Sequence, residues 1–208
     1  MLKLEKAEVF GWEAAIRGMR NPMNSWDKSD TYFENNEWVI GENDLKLMKS
    51  LSKAGNDHAK FLRMINVTVD ITAPLYWWKE MDTYKVGTVA NSCSTIHKIH
   101  DKEFTLDDFS HDHLYYEYLE HLKATISILN DARQRFHSVE KLDKETFWWQ
   151  MIQLLPTSYN QKRTVQLNYA VLKNIYFSRR NHKLDCWHTL CDWIETLPYF
   201  KEICIDEY

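Results

Sequence analysis

Over residues 61–72, the apolar Leu62, Met64, Val67, Val69 and Ile71 are interspersed with Arg63, Asn66, Thr68, Asp70 and Thr72. This is the period-two alternation of a half-buried strand, with a slip at Ile65. Ala73-Pro74 ends the strand, because proline has no amide donor for a ladder and suits the first turn of a helix. That helix is predicted over residues 75–82, carrying Tyr76, Trp77 and Trp78. Residues 84–95, YKVGTVANSCST, then form a polar, small-residue loop between heavy apolar neighbours, which makes it a site candidate.

The remaining pattern is mostly helical. Residues 2–10 read as a first strand and residues 13–20 as a short helix stopped by Asn21-Pro22. Residues 23–41 show no stable period and read as a loop with a brief strand at 37–40. Asn43 is placed to cap a helix over residues 44–54, with Leu45, Met48 and Leu51 inward and Gly55-Asn56 at its end. A long amphipathic helix runs from residue 111 or 112 to 136, with Leu114, Tyr118, Leu122, Ile126 and Leu129 on its apolar face. Another follows Asp143, burying Phe147, Trp148, Met151, Ile152 and Leu155 before Pro156. Residues 164–180 and 184–196 read as the last two helices. On the first of these, Asn168 and Arg179 lie eleven residues apart, three turns, so both emerge on nearly the same face. The fold class is α+β, a small antiparallel or mixed sheet packed with long helices, in one domain over residues 1–208.

The chain has 208 residues, of which 44% are hydrophobic, enough for one sizeable core. Five glycines and four prolines leave little room for turn-rich architecture. The net charge of -4 argues against general nucleic-acid binding, while a local basic patch can still hold one anionic ligand. No stretch approaches the roughly 18 apolar residues of a membrane span. The first residues lack a signal-type apolar core, so a cytoplasmic location is expected. Four cysteines without tandem spacing are read as buried thiols. His97 with His100, His111 with His113, and Cys186, His188 and Cys191 invite a metal reading but lack a completing ligand set. Packing or solvation is the preferred account of each, and no metal site is expected. Nine tryptophans, eleven tyrosines and nine phenylalanines suit a thick core or an oligomer interface.

The central run resembles the flavin-dependent thymidylate synthases, in which a histidine, a strand and an Ala-Pro lead into a helix and loop bearing an Arg-His-Arg signature. Laid on that pattern without a gap, His58 falls on the flavin-region histidine and Ala73-Pro74 on the Ala-Pro. Thr83-Tyr84-Lys85 falls on Arg-His-Arg, with the charge kept only at Lys85. The family's following Ser, Asn-Glu, Ser and Arg-Tyr are here Thr88, Ala90-Asn91, Cys93 and Thr95-Ile96. Further on, Leu155-Pro156 matches a Leu-Pro, and the spacing to Asn168 and Arg179 is preserved. Ala170 and Ile152 replace two family arginines, and Leu184-Asp185 replaces an Ala-Gln.

The resemblance implies reductive methylation of dUMP with FAD, NAD(P)H and methylene-tetrahydrofolate, in a homotetramer whose sites are shared between chains. Arg179 is then the catalytic group, polarising the uracil carbonyls as C5 becomes nucleophilic. His58, Lys85 and Asn168 hold the flavin, and Thr88, Ser92, Ser94, Thr95 and Arg180 supply donors to the substrate. Each lost arginine contact to phosphate is worth on the order of 1.5–3 kcal/mol, so other cations must substitute, and Arg17, Arg20, Lys162, Arg163 and Arg180 are available. The alternative is a non-catalytic scaffold of the same fold that binds a nucleotide or a protein partner.

Overall fold

The computed structural model describes residues 2–140 and 142–206. The chain divides into two compact units. One comprises Met1–Lys3, Ile71–Thr83 and Asn91–Arg163; the other comprises Leu4–Asp70, Tyr84–Ala90 and Thr164–Tyr208. A four-stranded sheet is built from β1 (Lys3–Phe10), β4 (Asn66–Pro74), β6 (Asn160–Asn168) and β5 (Val89–Ser92), in that spatial order. A separate antiparallel hairpin joins β2 (Tyr32–Glu34) to β3 (Glu37–Val39). The predicted α+β class, with small sheets and several helices, is the observed one.

In the first unit, α4 (Tyr116–Ser138) packs on α5 (Lys144–Leu154). Leu122, Ile126, Leu129 and Ala132 form the buried stripe of α4. They enclose Met151 of α5 together with Ile99, Phe104 and Phe109 from the preceding connection. The helix starts later than its sequence pattern predicts. Leu114 lies in a turn before it, and both Leu114 and Tyr118 are exposed, so the buried stripe is shifted one turn towards the C-terminus. This unit also holds α3 (Leu75–Met81), whose Trp77 and Trp78 are buried edge to face.

The second unit contains α1 (Trp12–Arg20), α2 (Glu42–Lys53), a 3-10 segment (Ala59–Arg63), α6 (Tyr169–Arg179), α7 (Asp185–Glu195) and α8 (Phe200–Cys204). In β4, Val67, Val69, Ile71 and Ala73 are buried at a period of two, and the closing Pro74 is buried as well. The apparent slip at Ile65 disappears because Leu62 and Met64 belong to the 3-10 segment and its cap, outside the strand.

Two expectations are corrected here. Asn43 is not the cap of α2, which begins at Glu42. The cap comes from a distant residue, Asp30, whose carboxylate accepts from the Asn43 and Asp44 N–H groups at 2.8 and 3.1 Å. The stripe that α2 buries is Asp44, Met48 and Ser52 rather than Leu45, Met48 and Leu51. Secondly, residues 164–168 are strand and not helix. Val165 and Leu167 are buried between exposed Thr164 and Gln166, and only then does Asn168 turn the chain into α6, its Oδ1 accepting from Val171 N–H at 3.1 Å. The short hairpin, β5 and α8 had no strong periodic signal.

A buried ion pair joins α1 to α2. Arg20 and Asp44 are 4% and 0% exposed, with Nε and Oδ1 2.7 Å apart. The other Asp44 oxygen accepts from Ser29 Oγ at 2.7 Å and from the Asp30 and Thr31 N–H groups at 3.1 Å each. Arg20 also donates to the Ser25 and Lys28 carbonyls. One pair therefore fixes the loop over residues 25–31 to both α1 and α2. Burial raises the Asp44 pKa, but the hydrogen bonds it accepts outweigh that cost and hold it below the ordinary carboxylate range.

Candidate functional site

In the second unit a cavity of about 720 Å³ runs along α6 from Asn168 at its start to Phe177 in its last turn. Its apolar lining includes Leu62, Val86, Val171 and Phe177; its polar lining is Asn56, Arg63, Asn168, Lys173 and Asn174. None of the described lining residues is acidic. Arg63 is exposed and makes no hydrogen bond or ion pair with the described residues. Lys173 Nζ is oriented by Ser52, donating to its carbonyl and its Oγ at 2.9 Å each. The positive end of the α6 dipole adds to this field, so the cavity favours an anion.

Gly87 lies on the cavity wall with φ +83°, a conformation that L side chains rarely adopt. A Cβ placed there would meet Val171 Cγ2 at 3.3 Å and Asn168 Nδ2 at 3.7 Å. Glycine thus keeps open the space between the loop and the start of α6. Asn168 turns its Oδ1 to the helix, which leaves its Nδ2 on the side of Gly87.

Of the residues selected from sequence, Asn168 lines the cavity. His58 and Lys85 are exposed side chains one residue from the lining residues Ala59 and Val86. Thr88 closes the loop by donating from Oγ1 to the Tyr84 carbonyl at 2.8 Å. Arg180 reaches the other end of the lining, with its guanidinium carbon 5.4 Å from the centre of the Phe177 ring. Ser92, Ser94 and Thr95 belong to the first unit; there the Ser94 Oγ accepts from the Ile96 and His97 N–H groups.

Arg179 is placed differently from the expectation that it shares a face with Asn168. At about 100° per residue, Ala170, Val171, Lys173, Asn174 and Phe177 cover one arc of α6, and Arg179 falls about 160° from the middle of that arc. Asn168 precedes the helix and does not share its phase, and it stands about 16 Å from Arg179 along the axis. Arg179 Nε donates to Tyr84 Oη at 2.9 Å, and its guanidinium carbon lies 4.8 Å from the centre of the Trp187 ring. Tyr84 is buried and begins the loop that carries Val86 and Gly87, so Arg179 anchors a wall of the cavity from behind.

Sequence reasoning missed Arg63, Lys173 and Asn174 as site residues. Arg63 was hidden by its reading as a strand position. Lys173 and Asn174 share a helical arc with Ala170 and Val171, but nothing in their spacing marks that arc as the one facing a cavity.

No family model matches the sequence, and no curated protein matches it. Solved structures do. Two crystal structures of thymidylate synthase X (ThyX) from Helicobacter pylori, both with FAD and dUMP, align with TM-scores of 0.67 and 0.68 at 14% and 15% identity. They cover 100% and 99% of this chain and 98% of each of those chains. A UMP/dUMP methylase, PolB, from Streptomyces cacaoi, bound with 5-Br dUMP, aligns with a TM-score of 0.61 at 14% identity, covering 98% of this chain and 93% of that one. The fold is therefore that of the flavin-dependent thymidylate synthases over essentially the whole chain, as the sequence resemblance implied. No helix among the described residues is long and apolar enough to cross a membrane.

Proposed function

We propose that the cavity along α6 binds a pyrimidine nucleotide of the dUMP type, and that the protein is a divergent flavin-dependent nucleotide-modifying enzyme. The observation that carries this reading is the lining itself. Two cations and a helix N-terminus suit a phosphate, three carboxamides suit the edges of a base, and Phe177 offers a ring face. The absence of acid among the described lining residues removes a repulsion that any nucleotide would meet. Arg63, Lys173 and Arg180 take the part of the arginines replaced at Thr83, Thr95 and Ile152.

The same chemistry fits FAD, itself an anionic nucleotide. Asn168, His58 and Lys85 would hold it, and once reduced by NAD(P)H it would supply the hydride for reductive methylation, with methylene-tetrahydrofolate as the one-carbon donor. Asn168 Nδ2 would then donate to a carbonyl of the flavin or base, while the Thr88 hydroxyl, whose proton is committed to the Tyr84 carbonyl, would hold the loop in shape. Gly87 admits the ligand to close range of the backbone. Arg179 acts on the site through Tyr84. The chain works in the cytoplasm as a homotetramer, an assembly to which the exposed Tyr115, Tyr116 and Tyr118 at the start of α4 would contribute apolar surface.

The position of Arg179 favours a second reading, a scaffold that binds nucleotide without turning it over. A visible spectrum of the purified protein separates the two. Bound flavin absorption that is bleached by reductant and restored by air supports the enzyme. Colourless protein that binds dUMP and is not stabilised thermally by FAD supports the scaffold. Failure to bind either ligand removes both.

A further inference from the structure

A second cavity, of about 350 Å³, lies at α1 and the hairpin, within the second unit, and the nucleotide reading makes no use of it. Ile16, Trp26 and Trp38 form its apolar walls; Glu13, Arg17, Arg20, Ser29 and Thr31 are its polar edges. Trp26 is half exposed, and its indole N–H is already taken by Asn21 Oδ1 at 2.9 Å, so it offers a ligand its ring rather than a donor. Trp38 is steadied by Phe33, its antiparallel partner across the hairpin, with ring centres 5.2 Å apart. Arg20, one of the lining residues, is held by the buried Asp44, and this pair fixes the loop that carries Ser29 and Thr31. The slot is thus built on a rigid base, and little ordering is required when a ligand enters.

Its charges select the ligand. Arg17 is paired with Glu13 at 3.3 Å and Arg20 with Asp44 at 2.7 Å, so the cations on the slot are each matched by an anion. A charged ligand would gain no net attraction and would lose hydration against two indoles. Arg20, 4% exposed, adds a directional feature. A guanidinium has five N–H groups. Those of Arg20 are directed to Asp44 Oδ1, to the Ser25 carbonyl and Oγ, and, from Nη2, to the Lys28 carbonyl. The second Nη2 proton has no acceptor among the described residues.

We propose that this slot is a binding site for a small, uncharged, planar heteroaromatic molecule that stacks on Trp26 and Trp38 and accepts one hydrogen bond from Arg20. Its volume lies at the lower end of the range for small-molecule sites, which suits a one- or two-ring molecule and excludes a dinucleotide. The site is independent of the α6 cavity, with which it has no lining residue in common.

The test uses four probes of similar shape: 7-azaindole, with a ring-nitrogen acceptor; indole, without one; indole-3-acetate, an anion; and tryptamine, a cation. Each is titrated into the full-length protein labelled with 15N at its tryptophan indoles, and the nine indole N–H resonances are followed. The expected result is saturable movement of the Trp26 and Trp38 signals with 7-azaindole at a Kd of roughly 0.1–1 mM. Indole should bind about fivefold more weakly, and the two charged probes more weakly still. Trp26→Ala and Trp38→Ala should each weaken 7-azaindole at least tenfold while leaving dUMP binding unchanged. Tighter binding of either charged probe, movement of other indoles first, or no saturable movement would overturn the proposal. Because the titration is read on the unmodified protein, it decides the matter even if a variant fails to fold. Loss of dUMP binding in the wild type would overturn the α6 reading without touching this one.

Discussion

Replacing Asp44 by alanine removes one partner of a buried ion pair and leaves the other charged. Arg20 is 4% exposed, so its guanidinium cannot recover water without local unfolding. Breaking such a pair from one side costs about 3–5 kcal/mol, much of it the uncompensated charge. Three further donors, Ser29 Oγ and the Asp30 and Thr31 N–H groups, lose their acceptor at the same time, which places the expectation at the upper part of that range. With a urea m-value of about 3 kcal/mol/M, the unfolding midpoint should fall by roughly 1.3–1.7 M. The double replacement Arg20→Met with Asp44→Leu should be less destabilised than Asp44→Ala, since no charge is then stranded. The pH dependence has a definite sign. The folded pKa of Asp44 lies below its unfolded value, so its contribution is present above the unfolded pKa of about 3.9 and is lost as pH falls through the folded value. Urea melts from pH 7 to pH 3 should therefore show a steeper loss for wild type than for Asp44→Ala. A cost below about 1 kcal/mol, or parallel pH profiles, would refute the claim that this pair organises the loop.

Other perturbations probe the cavity wall and the core. Gly87→Ala should lower stability by about 1–2 kcal/mol through its positive φ, and should weaken dUMP in a calorimetric titration as the methyl crowds Val171 and Asn168. Tyr84→Phe removes the acceptor of Arg179 Nε and should cost roughly 0.5–1.5 kcal/mol in a thermal melt, with a rise in the dUMP Kd and no contact to ligand lost. Under native conditions iodoacetamide should modify Cys93, which is exposed, before Cys186, Cys191 or Cys204, as mass spectrometry of peptides would show. Burial pushes the Cys191 and Cys204 thiols up, to about 11 and about 12. Because these folded values exceed the unfolded one, stability should decline as pH rises above about 9.

The strand-to-helix passage from Val67 to Met81 was legible because alternation, the Ala73-Pro74 stop and a block of tryptophans agree with one another. The α4 and α5 pair was legible for the same reason, except at its start, where Leu114 and Tyr118 continue an apolar spacing that the fold leaves exposed. What failed were boundaries set by distant partners. Asp30 caps α2 across thirteen residues, which no local pattern records. At residues 164–168, strand runs straight into a helix, and Val165 and Leu167 satisfy either period until tertiary pairing decides. That boundary moved the site. A helix begun at 164 puts Asn168 in phase with Arg179 on one face, whereas the observed boundary takes Asn168 out of that phase, leaving it in the cavity with Lys173, Asn174 and Phe177 while Arg179 lies against Trp187. The resemblance pointed to the fold that is observed, while the cations that line the α6 cavity, Arg63 and Lys173, came from positions where it offered no match.

The central claim is that Arg63 and Lys173 replace the missing phosphate contacts, and calorimetric titration of dUMP against deoxyuridine tests it most directly. For the wild type, dUMP should bind more tightly than the nucleoside. Arg63→Ala should weaken dUMP by about 10–100-fold while changing deoxyuridine less than about twofold, since one charge-assisted contact is worth about 1.5–3 kcal/mol. Equal affinity for the two ligands in the wild type, or an Arg63→Ala protein that binds dUMP as the wild type does, would contradict the account.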